Sequence, residues 1–339
     1  MPTILDCLKS ATTRGALPGL VWALRANEDG VVSELPSGAS LGDMMEGWLW
    51  FHFNLADQAV STFVESLPDF PGRAITLFKT RDEVPQIRSE GAVIYGLVSD
   101  IQREIGSASE EIGALHFMLT AKILITGRRS PLNSAGMTRR RLLEGLRVTT
   151  AEDLLAVLIE QVVDGVDVSI ERISREVDGL EERVISGSIG DARARLARHR
   201  RTAVRLRRHI SELRLLFQRL ERNGKRGEMP DRIVRLASEL LQESEVLDRD
   251  VAALSDRTRQ LQDEVVTLLT EETNKHLRVL AVLSILFLPP TFIAGLFGMN
   301  LRGMLFEGHE LGFWSAAVLA VLSSAAVLLV LKRIGILVR

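Results

Sequence analysis

The chain has 339 residues, with 42 basic and 44 acidic side chains and a formal net charge of -2. That balance does not suggest a nucleic-acid partner, which calls for a strongly basic surface. One cysteine, Cys7, leaves neither an intramolecular disulfide framework nor a thiolate zinc cluster, and the 6 histidines show no zinc-enzyme spacing.

The N-terminus carries Asp6, Lys9 and Arg14 without a long apolar core, so it does not read as a secretory signal. Residues 1–148 hold short apolar runs bounded by Gly, Pro, Asp or Ser. Those at 20–24, 49–53, 74–78, 92–98, 114–119 and 122–126 are rich in β-branched and aromatic residues and read as strands. Only Thr120-Ala121 separates the last two, which suggests a hairpin. Residues 56–67 have helical spacing. The expectation is an α/β domain, a sheet covered by helices.

Past Thr149 the strand signals stop. Thr149 followed by Glu152 is a capping-box pattern. Leu154, Leu158, Val162, Val166, Ile170 and Ile173 then recur at helical spacing until Gly187 and Gly190. A second helix holds Leu196, Leu206, Leu213 and Leu220 and stops at Asn223-Gly224. Its basic cluster is Arg193, Arg195, Arg198, Arg200, Arg201, Arg205, Arg207 and Arg208. We read the cluster as a solvated face paired with acidic neighbouring helices rather than as a phosphate or nucleic-acid site. A third helix starts at Pro230-Asp231, with proline in the first turn, and meets no breaker before Pro289-Pro290. To Phe297 it would run about 100 Å at 1.5 Å per residue. That exceeds a bilayer core of ~30 Å, so residues 149–276 read as a helical stalk or funnel.

Residues 279–301 carry no charge, and neither do residues 311–331. A bilayer-spanning helix needs roughly 20 apolar residues, so residues 277–339 read as a transmembrane hairpin with a short loop. Lys275 and Arg278 precede the first span, and Lys332, Arg333 and Arg339 follow the second. The loop sets Arg302 against Glu307 and Glu310. This bias places both termini in the cytoplasm, and in a bacterium the membrane is the inner one. Asn274, Leu277, Ala281, Ser284, Leu288, Thr291 and Gly295 fall three or four residues apart and share one face of the first span. Small and polar residues there suit either helix packing or the wall of a pore. Pro289-Pro290 is either a tolerated membrane proline pair or a bend near a pore mouth.

Gly298-Met299-Asn300 closes the first span directly after Pro289-Pro290-Thr291-Phe292-Ile293-Ala294-Gly295-Leu296-Phe297. In this setting the tripeptide resembles the signature of the CorA superfamily of divalent-cation transporters. Phe287-Leu288-Pro289, Gly295-Leu296-Phe297-Gly298 and Trp48-Leu49-Trp50-Phe51-His52-Phe53-Asn54 resemble its ZntB-type zinc branch. After the signature the chain reads Leu301-Arg302-Gly303-Met304-Leu305, where that branch usually has Gly-Gly-Ile-Pro.

The resemblance implies an α+β membrane protein: a cytoplasmic α/β domain, long stalk helices and two C-terminal transmembrane helices in a CorA-like arrangement. It implies a homopentamer in the bilayer, with the first span lining the pore and the second facing lipid. Asn274, Leu277, Leu280, Ala281, Ser284, Leu288, Thr291 and Gly295 would line that pore, with Leu277, Leu280 and Leu288 as constrictions that gate by dewetting. Gly298, Met299 and Asn300 would form the selectivity mouth, a ring of amide and carbonyl oxygens suited to a hydrated dication. Glu307, His309 and Glu310 in the loop are either cation attractors or ordinary polar residues. The implied cargo is Zn²⁺, alternatively Mg²⁺, Co²⁺ or Ni²⁺. No cofactor bound for chemistry and no enzymatic activity are expected. A membrane-anchored helical scaffold without transport is the alternative of another class.

Overall fold

The computed structural model describes residues 17–35, 47–81, 84–102, 111–187, 190–299 and 311–334. It divides into two compact units, Met1–Gln262 and Asp263–Arg339.

In the first unit seven strands form one sheet. They are β1 (Leu20–Ala26), β2 (Val32–Glu34), β3 (Leu49–Asn54), β4 (Gln86–Glu90), β5 (Val93–Ile101), β6 (Ile112–Leu119) and β7 (Ile123–Arg128). The order is β2-β1-β3-β7-β6-β5-β4. Every neighbouring pair is antiparallel except β3 and β7, which run parallel with Trp50 opposite Leu124 and His52 opposite Thr126. The hairpin at Thr120-Ala121 is present, with Leu119 opposite Leu124 and Thr120 N–H donating to Ile123 O at 2.9 Å.

Strand alternation sorts β3 onto two faces. Leu49, Phe51 and Phe53 join a core with Val60, Val64, Ala74, Phe78, Tyr95, Met118 and Ile125. Helices α1 (Gln58–Glu65) and α2 (Gly72–Lys79) supply Val60, Val64, Ala74 and Phe78 to that core. Trp48, Trp50 and His52 point the other way. The Trp48 indole donates to Val148 O at 2.7 Å there, and Ser134 N and Oγ donate to the buried Asp100 carboxylate at 3.0 and 2.7 Å. Ser134 belongs to α3 (Asn133–Leu143).

The run at 74–78, expected as a strand, is helix α2. Its two fully buried residues, Ala74 and Phe78, lie four apart on one helical face. Thr76 Oγ1 donates to Gly72 O at 2.8 Å, one turn back. A run of five residues, four of them apolar, cannot be assigned by composition alone, and here burial of one stripe decided it.

Three long helices complete the unit: α4 (Ala151–Ile185), α5 (Ala192–Gly224) and the first part of α6 (Asp231–Gly298). Helix α4 is capped one residue later than the Thr149–Glu152 pattern suggests. Thr150 Oγ1 accepts from Asp153 N at 3.0 Å and donates to the Asp153 carboxylate at 2.7 Å. Four of the eleven arginines of α5 pair with acids among the described residues. Arg207 and Arg214 reach Asp248, Arg195 reaches Asp191, and Arg208 reaches Glu212. From α6, Arg257 pairs with Asp178 and Glu181 of α4.

The second unit holds the remainder of α6 and α7 (Leu311–Arg333). Both helices are long and apolar enough to cross a membrane. Phe287, Leu288, Phe292, Phe313, Trp314 and Leu329 are all exposed.

Candidate functional site

Helix α6 continues through Pro289-Pro290 without interruption. Neither proline has an N–H, so the carbonyls of Ile285 and Leu286 lose their usual partners one turn on. Thr291 Oγ1 donates to Phe287 O at 2.8 Å and also lies 2.9 Å from Leu288 O. Ser284 Oγ donates likewise to Leu280 O at 2.9 Å. The hydroxyl protons are thus committed to the backbone, while the oxygen lone pairs stay available as acceptors.

All eight residues expected on the pore face are exposed: Asn274, Leu277, Leu280, Ala281, Ser284, Leu288, Thr291 and Gly295. The half-buried positions of the same stretch are Val282, Leu286, Pro289, Pro290 and Ile293. At 100° per residue these centre roughly 140° around the helix from Leu288. One side of α6 is therefore covered and the side bearing Leu288, Ser284 and Thr291 is open. On α7 the partly covered positions are mostly small: Ser315, Ala316, Ala317, Ala320, Ser323 and Ser324, with Val327 one turn further on. Small residues permit close backbone approach between membrane helices.

Gly298 is the last helical residue, and Met299 follows with its N–H donating to Leu296 O at 3.3 Å. Asn300, Glu307, His309 and Glu310 lie outside the described residues. Among the described residues no group of three or more His, Cys, Asp or Glu side chains is placed to hold a metal ion. The open face of α6 carries the neutral oxygens of Asn274, Ser284 and Thr291 and the apolar side chains of Leu277, Leu280 and Leu288.

Within the stretch 48–54, β3 (Leu49–Asn54) anchors a buried polar network that spacing along the chain did not reveal. Trp50 Nε1 donates to Thr126 Oγ1 at 2.7 Å, and His52 Nδ1 lies 2.7 Å from the same oxygen. Arg128 Nε donates to His52 Nε2 at 3.1 Å. That bond fixes the imidazole as neutral with its proton on Nδ1. Burial, and secondarily the Arg128 charge, hold the His52 pKa well below its ordinary value. Trp22 stacks on His52 with ring centres 4.0 Å apart, and Arg139 lies 5.5 Å from the Trp22 ring centre. This is a structural knot in the sheet, with Trp50, His52 and Thr126 fully buried.

The profile of a family described as CorA-like Mg2+ transporter protein matches residues 45–333. The chain belongs to that family. Its members are membrane transporters, and the two apolar helices fit a membrane protein. The chain is 27% identical over 291 residues to the zinc transport protein ZntB of Pectobacterium atrosepticum, covering 84% of this chain and 86% of that one. It is 24% identical over 299 residues to the divalent cation transporter CmaX of Pseudomonas aeruginosa, covering 83% and 85%. Among solved structures, full-length CmaX superposes with a TM-score of 0.69 at 22% identity, covering 93% of this chain and 98% of that one. The complete CorA magnesium transporter of Methanocaldococcus jannaschii superposes with a TM-score of 0.71 at 14% identity, covering 92% and 98%. The CorA-like chain is thus a mixed α/β soluble body followed by two C-terminal apolar helices, and a divalent-cation transporter of the CorA/ZntB type.

Proposed function

We propose that this CorA-like transporter is a homopentameric pore for divalent metal in a bacterial inner membrane, with zinc as its main cargo and both termini in the cytoplasm. The observation that carries the reading is the open face of α6. It presents Ser284, Thr291 and Asn274 among small residues and leads to Gly298-Met299-Asn300. A scaffold helix that merely anchors has no use for small and polar residues gathered on one open face at that spacing, whereas the wall of a pore does. Residues 1–148 serve as the cytoplasmic domain, 149–276 as a helical funnel and 277–339 as the membrane hairpin.

Zinc leads because the relatives include several zinc transport proteins ZntB. Magnesium, with cobalt or nickel as surrogates, is the second reading, favoured by the CorA magnesium transporter among the structural neighbours. A neutral oxygen mouth suits weak, releasable binding of either ion, as transport requires. Purified protein in proteoliposomes tests the proposal. Zinc uptake faster than magnesium uptake, with a pH gradient imposed and omitted in parallel, is the expected result. Magnesium moving faster overturns the cargo, and no metal flux at all overturns the pore.

A further inference from the structure

At one end of the apolar hairpin, charge resumes on both helices at once. The uncharged stretch of α6 runs from Val279 to the helix end at Gly298, and that of α7 from Leu311 to Leu331. At 1.5 Å per residue each covers about 30 Å, the depth of a hydrocarbon core. Lys275 and Arg278 stand just before the first stretch, and Lys332 and Arg333 just after the second. Two spans joined by a short loop cross in opposite senses, and these two have matched lengths. All four cations therefore fall at one depth, that of the lipid headgroups.

The four side chains are exposed, and none forms an ion pair among the described residues. Lys332 and Arg333 lie in the last turn of α7, where the helix dipole favours a cation. That account does not reach Lys275 and Arg278, which lie inside the 68-residue α6. Their place on α6 is also particular. At 100° per residue, Lys275 lies roughly 140° around the helix from Leu288, and Arg278 roughly 80°. The covered positions Val282, Leu286, Pro289, Pro290 and Ile293 centre near Lys275, so both cations stand off the open face and on or beside the covered one. On α7 the covered stripe ends at Leu331, which is 5% exposed and directly precedes Lys332. The nearest carboxylates along α6, Glu271 and Glu272, lie further from the span than any of the four cations. On the apolar side of the cations, Val279, Leu283, Leu329 and Val330 are exposed.

We propose that these four cations form a headgroup site for an anionic phospholipid at the foot of the hairpin. The proposal rests on the membrane placement argued above. Two guanidiniums present paired N–H groups to phosphate oxygens, and two ammoniums add charge without demanding geometry. The exposed apolar residues next to them give the acyl chains a surface to lie along. A zwitterionic headgroup brings its own ammonium, which four cations at the same depth repel, so the site selects net negative charge. Because the cations come from both helices and avoid the Leu288 face, one lipid bridges α6 to α7 from outside the pore.

Native mass spectrometry of the full-length protein in detergent tests it, titrated with phosphatidylglycerol and with phosphatidylcholine of the same acyl chains. Phosphatidylglycerol is expected to bind at least roughly tenfold tighter, since each cation near an anionic surface contributes about fivefold. The double variants Lys275→Gln/Arg278→Gln and Lys332→Gln/Arg333→Gln should each lose most of that preference while binding phosphatidylcholine like the parent. Arg198→Gln/Arg201→Gln, which removes two exposed cations of α5, keeps it. Glycerol phosphate, a soluble headgroup without chains, should not displace the lipid. Equal binding of the two lipids by the parent overturns the proposal and leaves the membrane placement standing. So does a preference that survives in both hairpin variants, or displacement by glycerol phosphate. Binding of neither lipid overturns the membrane placement itself, and the proposal with it.

Discussion

Replacing Thr126 by Val removes one oxygen from the seam between β3 and β7 and preserves side-chain shape. That oxygen accepts from Trp50 Nε1 and His52 Nδ1, both at 2.7 Å. Trp50, His52 and Thr126 are each 0% exposed, so no water substitutes for it. A buried donor left without a partner costs about 1–3 kcal/mol, and two give about 2–6 kcal/mol. His52 cannot escape by moving its proton to Nε2, because that nitrogen already accepts from Arg128. Thr126→Ser is the matched control. It keeps the hydroxyl and loses one methyl, for about 1 kcal/mol. Urea unfolding of the detergent-solubilised protein, followed by tryptophan fluorescence, reads the difference, since Trp48 and Trp50 both sit in β3 or beside it. The Val variant is expected to unfold at clearly lower urea than the Ser variant. If Val is as stable as Ser, the hydroxyl does not hold the seam and the bond network above is misassigned.

His209 is fully buried, neither ring nitrogen is hydrogen-bonded among the described residues, and burial lowers its pKa to about 4. Between about 4 and 6.5 the unfolded chain binds a proton there that the native chain refuses, so stability falls as pH falls, by up to about 1.4 kcal/mol per unit. His209→Leu should flatten that acid-side slope in pH-resolved unfolding. Asp100 works the other way: burial raises its pKa to about 6, so its native proton adds stability as pH falls below that value. Asp100→Asn should therefore steepen the acid-side loss, and a shallower slope contradicts the assignment. If Leu288 lines the proposed pore as an apolar ring, Leu288→Ser should raise initial metal-uptake rates and Leu288→Phe lower them, because such a ring would be a dewetting barrier. The same swaps at half-buried Leu286 should change flux much less, and a larger effect there would put the wrong face of α6 in the pore. Asn300→Ala should strongly lower uptake with assembly intact by native mass spectrometry, and parent-level flux at equal protein would make the signature structural.

Periodicity made the long helices legible. Apolar residues every three or four positions, with glycine and proline at the breaks, placed α4, α5 and α6 close to their observed ends. The open face of α6 could be read for the same reason, since spacing within one helix is a local property. The family resemblance, not the spacing, supplied the expectation that this face lines a pore. Local rules failed where the signal was thin or mixed. Strand β4 has one buried residue, Ile87, among polar neighbours, and α3 reads Asn133-Ser134-Ala135-Gly136-Met137-Thr138-Arg139-Arg140-Arg141, with little apolar pattern. Run 74–78 carried strand-like residues on a helix because Ala74 and Phe78 had to share a face. The His52–Thr126 contact was unreadable in principle. It depends on the register of a parallel pair, and nothing local in either strand encodes that register.

The single parallel seam also sets an order of events in folding. Every other neighbouring pair in the sheet joins strands that are consecutive along the chain, apart from β1 and β3, which are separated only by the short β2 and its flanks. The β4–β7 meander can zip through local turns, and so can the β1–β3 group. The β3–β7 seam must wait for the whole connection from Leu55 to Lys122 to be in place, with the loop-closure entropy that distance implies. Trp50, His52, Thr126 and Arg128 are then the clasp that shuts two preformed half-sheets. Weakening the clasp should leave folding rates almost untouched and let the closed sheet spring open faster, so its hydrogen bonds govern how long the domain stays folded.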